Sequence, residues 1–242
     1  MKRCTKCILP ETYPGIVFDE NGICNRCHEW ETSYGHVDYG RLKGELDHLI
    51  DLKKQEARSY GLPYDVIVPI SGGKDSAYAL YVMKELYGCR VLALNYNNTM
   101  QSELAYRNLI NLVDTFDVDF KMITIQPSLL KRAFNAAMKK LGEFCLVCNC
   151  TGYWILLSFL SDQFSKFGYT PLIVGGWNRM IEFDPQINTL NFATYRKLLE
   201  NTGLIGEFSQ TLSKDVLDGL TFQRDVRQQN SGGFIQLPDY WE

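Results

Sequence analysis

The 242-residue sequence has no apolar run long enough to cross a bilayer. Its longest strongly apolar stretch, Trp154 to Leu160, falls far short of the ~20 residues a spanning helix needs. The chain opens Met1-Lys2-Arg3-Cys4 without the apolar segment of a secretory leader. Low-complexity tracts and internal repeats are also missing, and glycine (19) and proline (8) sit near average, which speaks against a disordered chain or a solenoid. There is no excess of basic charge: the net charge is −3, unlike a dedicated nucleic-acid binder, and only Lys2, Arg3 and Lys6 gather locally. These absences lead to the expectation of a cytoplasmic protein with no membrane contact and no nucleic-acid partner. What is present is ample core material, 45% hydrophobic and 13% aromatic, with eight cysteines. In a reducing compartment that many cysteines suggest metal ligation or sulfur chemistry before disulfides.

The chain divides by pattern. Residues 1–38 hold four cysteines, two prolines and little periodicity, and read as a small metal-binding module. A helix from Tyr39 to Tyr60 follows, with Leu42, Leu46, Leu49, Ile50 and Leu52 as its apolar stripe, and Gly61-Leu62-Pro63 stops it. Residues 39–62 are therefore expected to link the module to a larger domain over 63–242. There, strands at Asp65–Ile70, Arg90–Asn95, Lys121–Ile125 and Pro171–Val174 alternate with helices at Asp75–Tyr87, Gln101–Phe116, Leu129–Leu141 and Thr151–Phe167. This alternation predicts an α/β fold, a doubly wound parallel sheet covered on both faces. Helices over Phe192–Glu200 and Ser213–Leu220 are expected further on, and the ending Pro238 to Glu242 reads as irregular.

Ser71-Gly72-Gly73-Lys74-Asp75-Ser76 follows the first strand and opens a helix. In that context free helix N-terminal amides and glycines make an anion site. Ser71 and Ser76 add hydroxyls, Lys74 a positive charge, and Asp75 a carboxylate that can orient Mg²⁺ or a water, or cap the helix. A glycine turn whose serine merely caps the helix is the plainer alternative. The position, at the C-terminal end of the first strand where open α/β sheets bind ligands, favours a phosphate site. The GxxxxGK[ST] spacing of a Walker A loop is absent.

Cys4-x2-Cys7 and Cys24-x2-Cys27 are separated by sixteen residues, a spacing that brings four thiolates to the tetrahedral geometry of structural Zn²⁺. Pro10, Pro14 and Asn21-Gly22 suit the tight turns between them, and His28 beside the last cysteine reads as incidental. Cys145, Cys148 and Cys150 precede a helix, where thiolates are stabilised. Three readings stay open for them: a second metal or iron–sulfur site, redox or sulfur-carrying thiols, and ordinary packing. Cys89 is expected in the core. Tyr153 and Trp154 are also expected to pack there.

The residue 71–76 loop resembles the SGGxDS signature of the PP-loop ATP pyrophosphatase superfamily, over about residues 63–178. The resemblance implies binding of ATP, cleavage between its α and β phosphates, and an adenylated intermediate from which a nitrogen or sulfur nucleophile displaces AMP. It implies roles in ATP binding for Ser71, Gly72, Gly73, Lys74, Asp75 and Ser76, with Lys74 and Asp75 catalytic. The end of the second strand, Leu94-Asn95-Tyr96-Asn97, would face the adenosine through Asn95 and Tyr96. Gly175-Gly176-Trp177-Asn178 occupies the place of a later glycine motif in which Gly175 would contact ATP, and departs from its commoner Gly-His form.

Within the superfamily the order of motifs is similar to the N-acetyl sugar amidotransferases of surface-polysaccharide biosynthesis. The motifs are Cys4-Thr5-Lys6-Cys7-Ile8-Leu9-Pro10, Pro14-Gly15-Ile16-Val17-Phe18-Asp19, Gly22-Ile23-Cys24-Asn25-Arg26-Cys27 and the loop. Ser102-Glu103-Leu104 with Asn108-Leu109, and Cys145 with Cys148, also fit. That family implies adenylation of the acetamido oxygen of an activated sugar or sugar nucleotide, with ammonia supplied by a separate glutaminase subunit. Arg179, Glu182 and Asp184 could face substrate or be surface charge, and residues 185–242 match no pattern of the family. The alternative enzyme is a tRNA thiolase, some of which combine a zinc module, an SGGKDS loop and a cysteine triad holding an iron–sulfur cluster. A zinc module on a degenerate nucleotide scaffold is the non-enzymatic alternative, and the intact loop counts against it.

Overall fold

The protein is represented by a computed structural model that describes residues 1–34, 38–176, 192–211 and 234–236. It divides into two compact units, Met1–Lys43 and Gly44–Glu242. The first has almost no aliphatic core. Antiparallel bridges pair Arg3 with Pro10 and Phe18 with Cys24, and Asp19 Oδ1 accepts from the Asn21 and Ile23 amides to shape the intervening turn. Buried Cys4, Cys24 and Cys27 are its centre, with Leu9, Ile16, Phe18 and Ile23 around them. Helix α1 (Asn25–Tyr34) starts directly after Cys24.

Helix α2 (Tyr39–Ser59) carries the division between the units within it. Leu46, Ile50 and Ala57 are buried in the hydrophobic clusters of the α/β unit, so most of this helix is part of that core.

The α/β unit is built on β1 (Val66–Pro69), β2 (Val91–Tyr96), β3 (Asp119–Ile123), β4 (Leu172–Gly175) and β5 (Phe234–Gln236). All pairings are parallel and the order is β3-β2-β1-β4-β5. The connections thus run outward from β1 to β3 on one side and resume at β4 on the other, placing a topological switch point between β1 and β4. Strand alternation divides the core. Val66, Val68, Val91, Ala93, Leu172 and Val174 meet helix α3 (Lys74–Tyr81), its π-helical continuation Val82–Leu86, and α4 (Glu103–Phe116). Ile67, Leu92, Leu94 and Ile173 point the other way, onto Leu156, Leu160 and Phe164 of α6 (Cys145–Phe164). Helices α5 (Pro127–Leu141), α7 (Phe192–Asn201) and α8 (Ile205–Thr211) extend the core on the α6 side.

The expected doubly wound sheet is present, with shifted boundaries. Helix α6 begins at Cys145 rather than Thr151, because Leu146, Val147 and Cys150 already pack against α5 and α7. With its 3₁₀ extension it spans Cys145–Phe167, and its most apolar 18-residue window has a mean hydropathy of 1.2, enough by length and composition alone to cross a membrane. Half of that window is buried inside the fold, as befits a helix covering a parallel sheet. The expected helix Phe192–Glu200 is α7, whereas Ser213–Leu220 and the 238–242 ending lie outside the described residues.

Asp65 anchors the entry to β1. It is fully buried and accepts from Arg90 Nη2 at 2.6 Å, Arg90 N at 2.9 Å and Arg58 Nε at 3.4 Å. Burial pushes its carboxyl up, but the hydrogen bonds from Arg90 and Arg58 outweigh this and hold it below the ordinary carboxylate value. With a lowered folded-state pKa, its contribution is present above the ordinary value and lost as pH falls through the lower one. Asp65→Asn should therefore cost about 1.5–3 kcal/mol at neutral pH. Urea unfolding should show this deficit shrinking towards the acid end of that window.

Candidate functional site

Pro69 ends β1 because it has no amide to donate to the ladder, and the chain turns into the residue 71–76 loop. The loop is wound on its own serines. Ser71 N donates to Ser76 Oγ at 3.1 Å, and Ser76 Oγ donates to the Gly73 carbonyl at 3.1 Å. Gly72 has φ +79°, and a Cβ there would stand 2.2 Å from the Ala105 carbonyl oxygen of α4. Asn108, one turn along α4, donates from Nδ2 to the Gly72 carbonyl at 3.1 Å. Gly73 is the N-cap of α3 and supplies no side-chain cap, so the first amides of that helix are left for an external acceptor.

The loop after β4 closes on the same helix. A Cβ on Gly176 would lie 2.3 Å from the Asp75 carbonyl oxygen and 3.0 Å from the Ser76 amide nitrogen. A glycine at 176 thus lets the backbone meet α3 at the switch point. Trp177, Asn178, Arg179, Glu182 and Asp184 lie outside the described residues. Lys74 and Asp75 are exposed (88% and 63%) and pair with each other at 2.5 Å. So open an ion pair contributes little to stability, which leaves both groups free to engage a ligand.

Beside the loop, at the C-terminal ends of β1 and β2, is a cavity of about 340 Å³. Of the expected nucleotide residues, Ser71, Ser76, Asn95 and Tyr96 line it, whereas Gly72, Gly73, Lys74, Asp75 and Gly175 do not. Helix α6 forms the opposite wall through Cys148, Asn149, Gly152, Tyr153 and Leu156. Gly152 lets the Tyr96 ring approach, since a Cβ there would be 2.8 Å from it. Tyr153 is thus a half-buried cavity residue and not the core residue expected, because α6 turns the 148–149, 152–153 and 156 face towards the sheet end. Trp154, on the other face, is in the core against Tyr195, as expected. Behind the wall Thr151 and Tyr195 share a buried hydroxyl–hydroxyl bond, and burial pushes the Tyr96 and Tyr195 phenols up, keeping both neutral.

The two cysteine groups behave differently. Cys4, Cys7, Cys24 and Cys27 place their sulfurs within 4.8 Å of one another, the only such group of three or more ligating side chains among the described residues. Individual separations are 3.8 Å (Cys4–Cys27), 3.5 Å (Cys7–Cys24) and 3.7 Å (Cys24–Cys27). A tetrahedron with metal–sulfur bonds of about 2.3 Å has edges of about 3.8 Å, so the set fits a metal ion. Burial opposes ionisation of Cys4, but amides of Cys7, Lys6 and Cys24 point at its sulfur and bring it to about 6. Burial pushes Cys27 up to about 12, so a cation is needed for all four to be thiolates together. His28 lies outside this set and meets Asp19 Oδ2 at 2.9 Å.

Cys145, Cys148 and Cys150 do not converge. Cys145 is exposed, Cys148 faces the cavity with its sulfur 3.1 Å from Asn98 Nδ2, and Cys150 is buried in the α5–α6–α7 core. Burial raises both the Cys148 and Cys150 thiols. Cys89 is buried, as expected.

Ala105 and Asn108 were missed as parts of the loop. Asn108 falls in the Ser102–Leu109 pattern, which was the available signal, but its partner is 36 residues earlier.

Residues 37–147, under half of the chain, match the family model described as NAD synthase. An uncharacterized protein of Methanocaldococcus jannaschii is 27% identical over 149 residues, 61% of this chain and 50% of that protein. The chain thus spans about half the length of the curated relative it matches. Among solved structures, the NMN synthetase from Francisella tularensis is similar at 17% identity and TM-score 0.39, covering 75% of this chain and 74% of that one. The NH3-dependent NAD synthetase from Campylobacter jejuni gives 18% and 0.40, covering 79% and 86%. The U34-tRNA thiolase NcsA from Methanococcus maripaludis, with its [4Fe-4S] cluster, gives 14% and 0.40, covering 98% and 67%.

Gly176→Ala should lower stability by about 1–3 kcal/mol, since backbone must move to admit the methyl group. Gly206→Ala, helical with no atom within 4 Å of the new methyl, should be neutral or stabilising by up to about 1 kcal/mol. Chemical denaturation of the two variants checks the contrast.

Proposed function

We propose that this chain is an ATP-dependent amidotransferase that acts on the acetamido group of an N-acetyl sugar or sugar nucleotide. The acetamido oxygen attacks the α-phosphorus of ATP, and the α–β bond breaks to release pyrophosphate. Ammonia, delivered by a separate glutaminase subunit, adds to the activated carbon. AMP leaves with the former amide oxygen, and an acetamidino group remains. Adenylation is needed because an amide oxygen is a poor leaving group.

The observation that carries the ATP part is the uncapped N-terminus of α3, held at the switch point by Gly72 and Gly176 beside a cavity of nucleoside size. The NAD synthase family match supports an ATP-using enzyme of PP-loop type. In this reading the α3 amides and Lys74 take the phosphates, and Asp75 holds Mg²⁺, which supplies charge neutralisation on the polyphosphate. The ordered motifs of residues 4–27 and 71–76 support the sugar amide as acceptor. The Cys4 set would hold structural Zn²⁺.

Sulfur transfer to tRNA is the second reading, favoured by one observation, the Cys148 thiol at the cavity wall. Against it, Cys150 is turned into the core and the three thiols offer no joint ligand set.

With acceptor and ammonia present, ATP should yield AMP and pyrophosphate. Asp75→Asn should lower the rate at least ~10²-fold while leaving the fold intact. ADP and phosphate as products, or an unimpaired variant, would refute the assignment. Anaerobically purified protein should be colourless with one zinc per chain, and Cys24→Ser should lose the zinc and the hydrogen-exchange protection of residues 4–28. A brown, iron-containing protein would favour thiolation.

A further inference from the structure

A peptide joining two glycines turns over at little cost, because neither neighbour carries a Cβ to resist the change. The Gly72–Gly73 peptide is such a link, so its direction depends on what holds it from outside. Its bond is trans, which makes the carbonyl and the N–H point opposite ways. The carbonyl faces α4, where Asn108 Nδ2 donates to it at 3.1 Å. The N–H of Gly73 therefore faces away from α4. It meets Ser71 Oγ at 3.4 Å, longer than an ordinary N–H···O bond. An amide held so loosely can pass to a stronger acceptor.

The side chain that holds the carbonyl is itself fixed. Ser102 Oγ caps α4 by accepting from Ala105 N at 3.1 Å, and Leu109, next to Asn108, is fully buried. A carbonyl accepts and never donates, so the Asn108 amide is settled with its nitrogen towards Gly72. Gly73 is the N-cap of α3, and its N–H adjoins the uncapped amides of the first turn. Turned over, the same peptide would set a carbonyl oxygen there instead. An anion would then lose one donor and meet a partial negative charge.

We propose that Asn108 is a positioning residue for the anion loop: its bond to the Gly72 carbonyl keeps the Gly73 N–H turned towards the phosphates of the nucleotide. This rests on the ATP reading of the loop given above. Asn108 does not line the cavity, so it acts through the backbone and not by touching the nucleoside. Its ligand is the polyphosphate, and inorganic pyrophosphate carries the same chemistry without the nucleoside.

The test is calorimetric titration of the full chain, with Mg²⁺ and without acceptor, using ATP and, separately, inorganic pyrophosphate. Asn108→Leu is close to isosteric and removes the donor, so it should weaken both ligands about tenfold, the loss of one hydrogen bond to a charged group. Asn108→Gln keeps a donor and should stay within about threefold of the wild type, although it changes the size of the side chain. Loss of packing alone would give no such advantage to the glutamine. In the wild type the ¹⁵N–¹H signal of Gly73 should shift as pyrophosphate or ATP is added. If Asn108→Leu does not fold by circular dichroism, Asn108→Ala takes its place. The ATP series decides by itself if pyrophosphate binds too weakly to measure. Leucine and glutamine variants of equal affinity, or a Gly73 signal unmoved by bound ATP, would overturn the role of Asn108 while leaving the ATP site standing. No binding of ATP by the wild type would overturn both.

Discussion

Two contacts between bare backbones govern the α/β unit around its loop. Gly72 presses on the Ala105 carbonyl of α4, and Gly176 on the first turn of α3, each at a distance that forbids a Cβ. Between them the N-terminus of α3 is held at the switch point of the sheet with its amides uncapped. A helix end without side-chain caps leaves its first amides open to an external acceptor, and such an end favours an anion. Asn108 adds the polar part of the same clamp by holding the Gly72 carbonyl.

The site has two electrically distinct ends. Donors and the Lys74–Asp75 pair gather on the exposed loop, while the adjoining cavity has no Asp, Glu, Lys, Arg or His among its described lining residues, and burial raises its Cys148 thiol and Tyr96 phenol. A ligand that is polyanionic at one end and neutral at the other matches this division. In the proposed reaction that ligand is ATP. The division also explains why Asp75 and Lys74 sit outside the cavity: charged groups needed at the phosphates would cost desolvation energy if buried among Ile70, Leu94 and Leu156.

The cysteines show how spacing alone can mislead. Cys4, Cys7, Cys24 and Cys27 lie on two turns, each of which curls its pair of sulfurs towards a common point, and in a unit with few aliphatic residues they also form the core. Cys145, Cys148 and Cys150 are closer in sequence but occupy one helix. At about 100° per residue, Cys145 and Cys148 share a side while Cys150 points nearly opposite Cys148. Helical geometry therefore sends one thiol to solvent, one to the cavity and one to the core.

Local chemistry made much of this protein legible. Strand–helix alternation gave the parallel sheet, the glycines marked the loop, and the two CxxC pairs marked the metal-fitting module. These features depend on neighbours within a few residues, where propensity and spacing act directly. What the chain order did not disclose was long-range. The contact between Gly72 and Ala105, the closeness of Gly176 to Asp75 and the turning of Tyr153 towards the cavity arise only once α4, β4 and α6 are docked on the sheet. The early start of α6 has the same origin, since burial of Leu146 and Val147 extends the helix beyond its apparent apolar run. Asn95 was recognisable as the end of a strand, but its bond to the Ile70 carbonyl, just past the end of β1, arises only from the pairing of β1 with β2.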